Sequence, residues 1–174
     1  MKKYLFLLMC LVALNLHAQE ITPPGLEFVC ELKVTTSETE VVGKTAHGER
    51  RIIPITGGTF EGPNIKGKVL SGGADYQFVN PENTRTEIEA IYSVKTDDGF
   101  LIHIRNVGLV YRNPDIMENL KNGAAADWSK IYFRAAPKFE APMDSPYNWM
   151  NNAIFVCKGV PTKDYVSIQV WKVL

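Results

Sequence analysis

Six of the thirteen glycines in this chain fall in one short stretch, Gly57-Gly58-Thr59-Phe60-Glu61-Gly62-Pro63, then Gly67, then Gly72-Gly73-Ala74-Asp75-Tyr76. Glycines about five residues apart among Phe60, Ile65, Val69, Leu70 and Tyr76 describe strands that bend sharply and approach other backbones closely, as in a small closed sheet. The flanks of the stretch read as strands, and Gly67-Lys68 is followed by Val69 where a phosphate loop needs Ser or Thr. The glycines are therefore read as corners of a sheet and not as a nucleotide cradle.

The pattern along the chain agrees with an all-β fold. From Leu26 to Val34 apolar residues alternate with Glu27, Glu31 and Lys33, the signature of a half-buried strand. Thr35 to Glu40 reads as an exposed turn, and Val41-Val42 and Arg51 to Ile55 read as strands about a His47-Gly48 turn. Tyr76 to Val79 precedes the turn residues Asn80-Pro81-Glu82-Asn83. Ile88, Ala90, Tyr92 and Val94 alternate with polar residues up to Asp97-Asp98-Gly99, a strong hairpin signal, and the strand returns from Phe100 to Tyr111. On that strand Ile102, Ile104 and Asn106 share one face, while His103 and Arg105 share the face expected to point out.

One short helix is expected after Asn113, which can cap it, with Pro114 at the first helical position, Lys121 in the last turn and Gly123 as the stop. It is expected to cover one end of the sheet. Further strands follow at Ile131 to Arg134, Ala153 to Cys157 and Tyr165 to Val173, with a helical turn at Tyr147 to Met150. Many short strands, dense turns and one minor helix predict a closed or nearly closed antiparallel β-barrel. The alternative is a two-sheet β-sandwich, which needs less bending than the glycines imply.

Lys2 and Lys3, an apolar run from Tyr4 to Leu14 and Leu16-His17-Ala18 predict a signal peptide over residues 1–18, with residues 19–174 forming a single domain. The apolar run is shorter than the roughly 20 residues that span a bilayer, so the expected product is exported, periplasmic or extracellular, without a membrane partner after cleavage. Cys10 lies inside the apolar run, which argues against a lipid anchor. Acidic and basic residues balance at 19 each, and no basic stripe is present, so nucleic acid is not expected as a partner. Cys30 and Cys157 both fall on apolar faces; two buried free thiols and a disulfide are both open, since export permits the bond.

The motifs Gly57 to Pro63, Gly67-Lys68-Val69-Leu70, Gly72 to Tyr76, Thr96-Asp97-Asp98-Gly99, Tyr132-Phe133-Arg134, Phe139-Glu140 and Tyr147-Asn148-Trp149-Met150-Asn151 run in order along most of the chain. Together they resemble the domain of unknown function 3237 family. Tyr76 stands where a tryptophan is common in that family, and Ala135-Ala136-Pro137 replaces a threonine-containing version. The resemblance implies a single-domain β-barrel, lipocalin-like in outline, and brings no accepted reaction, ligand or catalytic residue.

Site residues therefore rest on chemistry. Glu61 and Asp75 interrupt apolar, glycine-rich strands, where a carboxylate loses hydration unless it gains a partner. Such a group either fixes a corner by bonding backbone N–H groups or an arginine, or carries a raised pKa and works as a general acid or base. Arg134 is expected to meet Glu61, Asp75, Glu140 or a ligand carboxylate. Tyr92, Asn106, Tyr132, Trp149 and Asn151 are candidates for an apolar pocket with polar handles, against the alternative of plain core.

His47 and His103 lack zinc-site spacing, and no serine stands in a Gly-x-Ser-x-Gly elbow, so no metal or other cofactor is expected. Three functions remain open. One is an exported barrel that binds a small cyclic or aromatic organic molecule in its lumen or mouth. Another is a cofactor-independent lyase, isomerase or hydrolase using Asp75 or Glu61. The last is a structural or interaction protein whose lumen is filled by Tyr76, Phe78, Tyr92 and Phe133.

Overall fold

The computed structural model describes residues 21–174, so the expected signal peptide lies outside the described residues. The chain forms β1 (Leu26–Thr36), β2 (Glu40–Thr45), β3 (Gly48–Gly62), β4 (Ile65–Val69), β5 (Gly73–Val79), β6 (Arg85–Thr96) and β7 (Leu101–Tyr111). Helix α1 (Pro114–Lys121), β8 (Tyr132–Glu140), a 3-10 turn (Asn148–Asn152), β9 (Phe155–Pro161) and β10 (Val166–Val173) complete it.

The strands form one antiparallel meander that closes on itself, because β1 pairs β10 on one side and β3 on the other. Closure excludes the two-sheet sandwich. Ten strands make eight staves, since two staves are each built from two strands in line. β1 and β2 lie end to end along one edge of β3, and β4 and β5 lie end to end along the other. The hairpin β6–β7 joins at Asp97 to Phe100, with His103 and Arg105 on the outer face as expected.

The glycine stretch is the corner that makes closure possible. Thr35 pairs Gly57 while Thr36 pairs Ile55, so Thr56 is the extra residue of a bulge at which β3, the longest strand, changes direction. Both neighbouring staves break at the same level, at Ser37 to Thr39 and at Leu70 to Gly72. Gly58 has φ 134°, and a Cβ there would lie 2.0 Å from the Lys33 carbonyl oxygen. Only glycine lets β1 come that close at the corner.

The corner level also divides the lumen. Beyond it, toward the β3–β4 turn, Leu32, Phe60, Ile65, Val94, Ile102, Ile104 and Val170 point inward and are buried. Phe139 and Phe155 meet there edge to face with ring centroids 4.8 Å apart, and Met150 of the 3-10 turn is buried against them. Cys30 and Cys157 are inward, buried and free. Each is registered opposite Val170 from a different side, so two strand spacings, about 9–10 Å, separate them. That exceeds the reach of a disulfide, about 7 Å between Cα atoms.

α1 forms where the sequence places it. Asn113 accepts the Ile116 N–H at 2.9 Å, Pro114 opens the helix, and the Gly123 N–H closes it onto Leu120 at 3.1 Å. Met117 is buried, and Ile116 and Trp128 from the β7–β8 connection pack on the core.

Gly58→Ala should lower stability by about 3 kcal/mol, adding overpacking to left-handed backbone strain. Gly72→Ala, with φ 100° and nothing within 4 Å of a new Cβ, should cost only about 1–2 kcal/mol. Denaturant midpoints of the two variants check this; equal losses would remove the close approach at Gly58 from the account.

Candidate functional site

The other half of the lumen is open. A cavity of about 300 Å³ lies between the corner level and the end of the barrel covered by the β7–β8 connection. Its walls are mostly aliphatic and aromatic: Val34, Ile53, Ile55, Ile88, Ala90, Val110, Phe133, Val166 and Ile168, with Trp128. Space remains because Ala90 carries only a methyl group into this end, and because the Phe133 ring lies against Gly159. A Cβ on Gly159 would come within 2.4 Å of that ring.

Polar groups enter the wall at Asp75, Gln77, Thr86, Tyr92, Asn106 and Arg112. Asp75 stands on β5 opposite Ile53 of β3 and Ala90 of β6. One carboxylate oxygen accepts the Gln77 amide at 2.7 Å and the other accepts the Glu89 backbone N–H at 3.1 Å. Burial raises its pKa above the ordinary carboxyl value, and the two hydrogen bonds oppose the shift without cancelling it. The group is thus a carboxyl held toward its protonated form in an apolar wall.

Tyr92 is 5% exposed, and burial pushes its phenol pKa well up, with the Cys157 and Cys30 thiols and Asp75 adding to the shift. Its hydroxyl makes no hydrogen bond among the described residues, although no side-chain nitrogen or oxygen sealed from solvent is left unpartnered. Asn106 is buried beneath the cavity, its amide 3.5 Å from Cys157 Sγ. Burial raises both thiols, Cys30 to about 12 and Cys157 to about 11, so neither is a reactive thiolate at neutral pH.

Arg112 follows β7 directly and was not among the residues singled out from the sequence. Its Nη1 donates to Thr86 Oγ1 at 3.1 Å. Burial, with the Arg51 guanidinium nearby, lowers its pKa below the ordinary guanidinium value. Among the described residues no three His, Cys, Asp or Glu side chains gather into a metal-binding set.

The structure brings Asp75, Tyr92 and Asn106 together in one wall and places the other expected site residues elsewhere. Glu61 is exposed on the outer face of β3, because strand alternation turns Phe60 inward and Glu61 out. Arg134 is exposed between inward Phe133 and Ala135, and its Nη1 donates to the Phe133 carbonyl at 2.9 Å; it forms no salt bridge with Glu61, Asp75 or Glu140. Tyr132 beside it is 50% exposed. Trp149 lies on the surface at the filled end, with its ring centroid 5.9 Å from that of Phe155. Asn151 is a latch there, donating to the Ala141 carbonyl and accepting the Ala141 N–H, each at 2.9 Å.

Tyr76 and Phe78, expected as fillers in the closed-lumen alternative, point outward, with Arg50 stacked 3.3 Å over the Phe78 ring. Inward residues of β5 are instead Asp75 and Gln77.

Similar proteins share this architecture over its whole length. A UPF0311 protein of Rhodopseudomonas palustris is 37% identical over 153 residues, covering 87% of this chain and 99% of its own. Its crystal structure matches with a TM-score of 0.79 at 35% identity, over 88% of this chain and 100% of that one. A beta-barrel like protein of Acinetobacter baumannii matches with a TM-score of 0.77 at 32% identity, over 89% of this chain and 99% of that one. An enzyme from Penicillium herquei, at 22% identity and a TM-score of 0.66 over 90% and 99% of the two chains, shares the fold alone. With a family match that runs from residue 24 to residue 173, nearly the whole described barrel, the chain belongs to the family described as protein of unknown function (DUF3237).

Proposed function

We propose that this chain is an exported binding protein for a small cyclic or aromatic organic molecule held in the open half of the barrel. The observation that carries the reading is the cavity of about 300 Å³, walled by aliphatic and aromatic side chains with a few convergent polar groups. That size and composition are typical of sites for small organic ligands. A rigid barrel supports the same reading, since a preformed cavity spares a ligand the cost of ordering its site.

The neutral dye N-phenyl-1-naphthylamine fluoresces on entering an apolar site and tests this directly. A saturable rise with one dye per chain is expected. Ala90→Trp, which fills the cavity from β6, should abolish it while the thermal midpoint stays at or near the wild-type value. Undiminished binding by folded Ala90→Trp would move the site elsewhere.

Asp75 favours a second reading, in which the barrel is a cofactor-independent lyase, isomerase or hydrolase and this carboxyl moves a proton. A carboxyl whose pKa is raised toward neutrality is suited to general acid or base work, and it lines the cavity. Asp75→Asn should then abolish turnover and leave affinity nearly intact. Parallel loss of affinity returns the weight to a binding role.

The raised pKa also predicts a stability profile whichever reading holds. The folded carboxyl keeps its proton to a higher pH than the unfolded chain, so stability falls as pH rises from 3.8 through the folded value. Asp75→Asn removes that loss, and its amide can still accept from Glu89 and donate to a turned Gln77. Its denaturant midpoint should exceed wild type at about pH 8, with the difference shrinking toward about pH 3, where the acid is protonated in both states. A variant less stable than wild type at about pH 8 would contradict the assignment.

A further inference from the structure

The open end of the lumen holds a cation without an anion. Arg112 lines the cavity and is only partly exposed, yet among the described residues no carboxylate forms a salt bridge with it. Its position is fixed: the backbone N–H donates to the Thr84 carbonyl at 2.7 Å and Nη1 donates to Thr86 Oγ1 at 3.1 Å. The carboxylates around it are engaged elsewhere. Asp75 accepts from Gln77 and from the Glu89 N–H, and Glu49 is paired with Arg51 at 2.5 Å.

A guanidinium carries five N–H donors in a planar fork. In Arg112 one of the nitrogens is satisfied by a threonine, and the rest of the fork has no carboxylate to meet. A charge withdrawn from water with no partner is costly, and the cost is offset if an anion completes the site. Deeper in the same cavity, the unpaired Tyr92 hydroxyl sits on a residue 5% exposed. The two observations point the same way, to a ligand that is apolar in body and anionic at the end nearest Arg112.

We propose that the ligand is an aromatic or alicyclic carboxylic acid, bound as its carboxylate in an ion pair with Arg112 while its ring lies among Ile53, Ile88, Val110, Trp128 and Phe133. The inference rests on the cavity being a ligand site and adds the chemical class. Arginine is suited to the task because its fork matches both oxygens of a carboxylate.

Calorimetric titration with naphthalene-2-carboxylate and its neutral isostere naphthalene-2-carboxamide, at neutral pH, tests it. Wild type should bind the carboxylate more tightly by about tenfold or more. Arg112→Gln should erase the preference by weakening the carboxylate alone, and Arg112→Lys, which keeps the charge but not the fork, should retain part of it. Equal wild-type affinity for the two probes overturns the proposal and leaves the cavity reading intact, as does a preference that survives in Arg112→Gln. Binding of neither probe overturns both. The wild-type ratio decides even if a variant fails to fold.

Discussion

Backbone contact between β1 and β3 at Gly58 is the constraint on which the rest depends. A side chain there would collide with the Lys33 carbonyl, so glycine sets how closely the two staves approach and lets β3 turn at the Thr56 bulge. The turn brings β1 round to β10, so closure gives β1 a partner on both sides and leaves the short β2 paired with β3 alone. It also fixes a level inside the lumen. Below it large side chains meet across the barrel, and above it the inward side chains line a cavity without filling it.

That division explains the chemistry of the site. Polar groups sealed from solvent must find partners, and Asn106, buried where the cavity wall meets the core, does so with Cys157. Groups at the open end are under no such demand, because the cavity gives them somewhere to point. Asp75 meets two donors but no cation, Arg112 meets a hydroxyl but no anion, and Tyr92 meets nothing among the described residues. Each residue alone has a bland structural explanation; their convergence on one apolar chamber does not.

Alternation made the inward faces of β6 and β7 legible in the sequence. Ile102, Ile104 and Asn106 on one strand and Ile88, Tyr92 and Val94 on its partner share an inward face as their period of two requires. The helix was legible from its cap and its stop. At the open end the same rule misleads: β5 turns Asp75 and Gln77 inward and leaves Tyr76 and Phe78 outside, because the wall of a ligand-sized cavity need not be apolar at every position. Glu61 and Arg134 drew attention as charges in apolar strands, yet each follows an inward phenylalanine and so had to face solvent. Arg112 was invisible for a different reason. It sits between the last strand residue and a helix cap, where a lone arginine reads as loop, and only the β6–β7 pairing, which sets Val110 opposite Thr86, brings its side chain to that threonine beside the cavity.

The central claim is that the open half of the lumen is the ligand site and the filled half is core. Amide NMR of the uniformly ¹⁵N-labelled protein titrated with naphthalene-2-carboxylate tests it most directly. The account predicts saturable shift changes concentrated at Asp75, Ala90, Asn106, Arg112 and Trp128, with Ile102, Phe139 and Phe155 left in place. Changes centred instead on the outer face about Tyr132, Arg134 and Trp171 would contradict it.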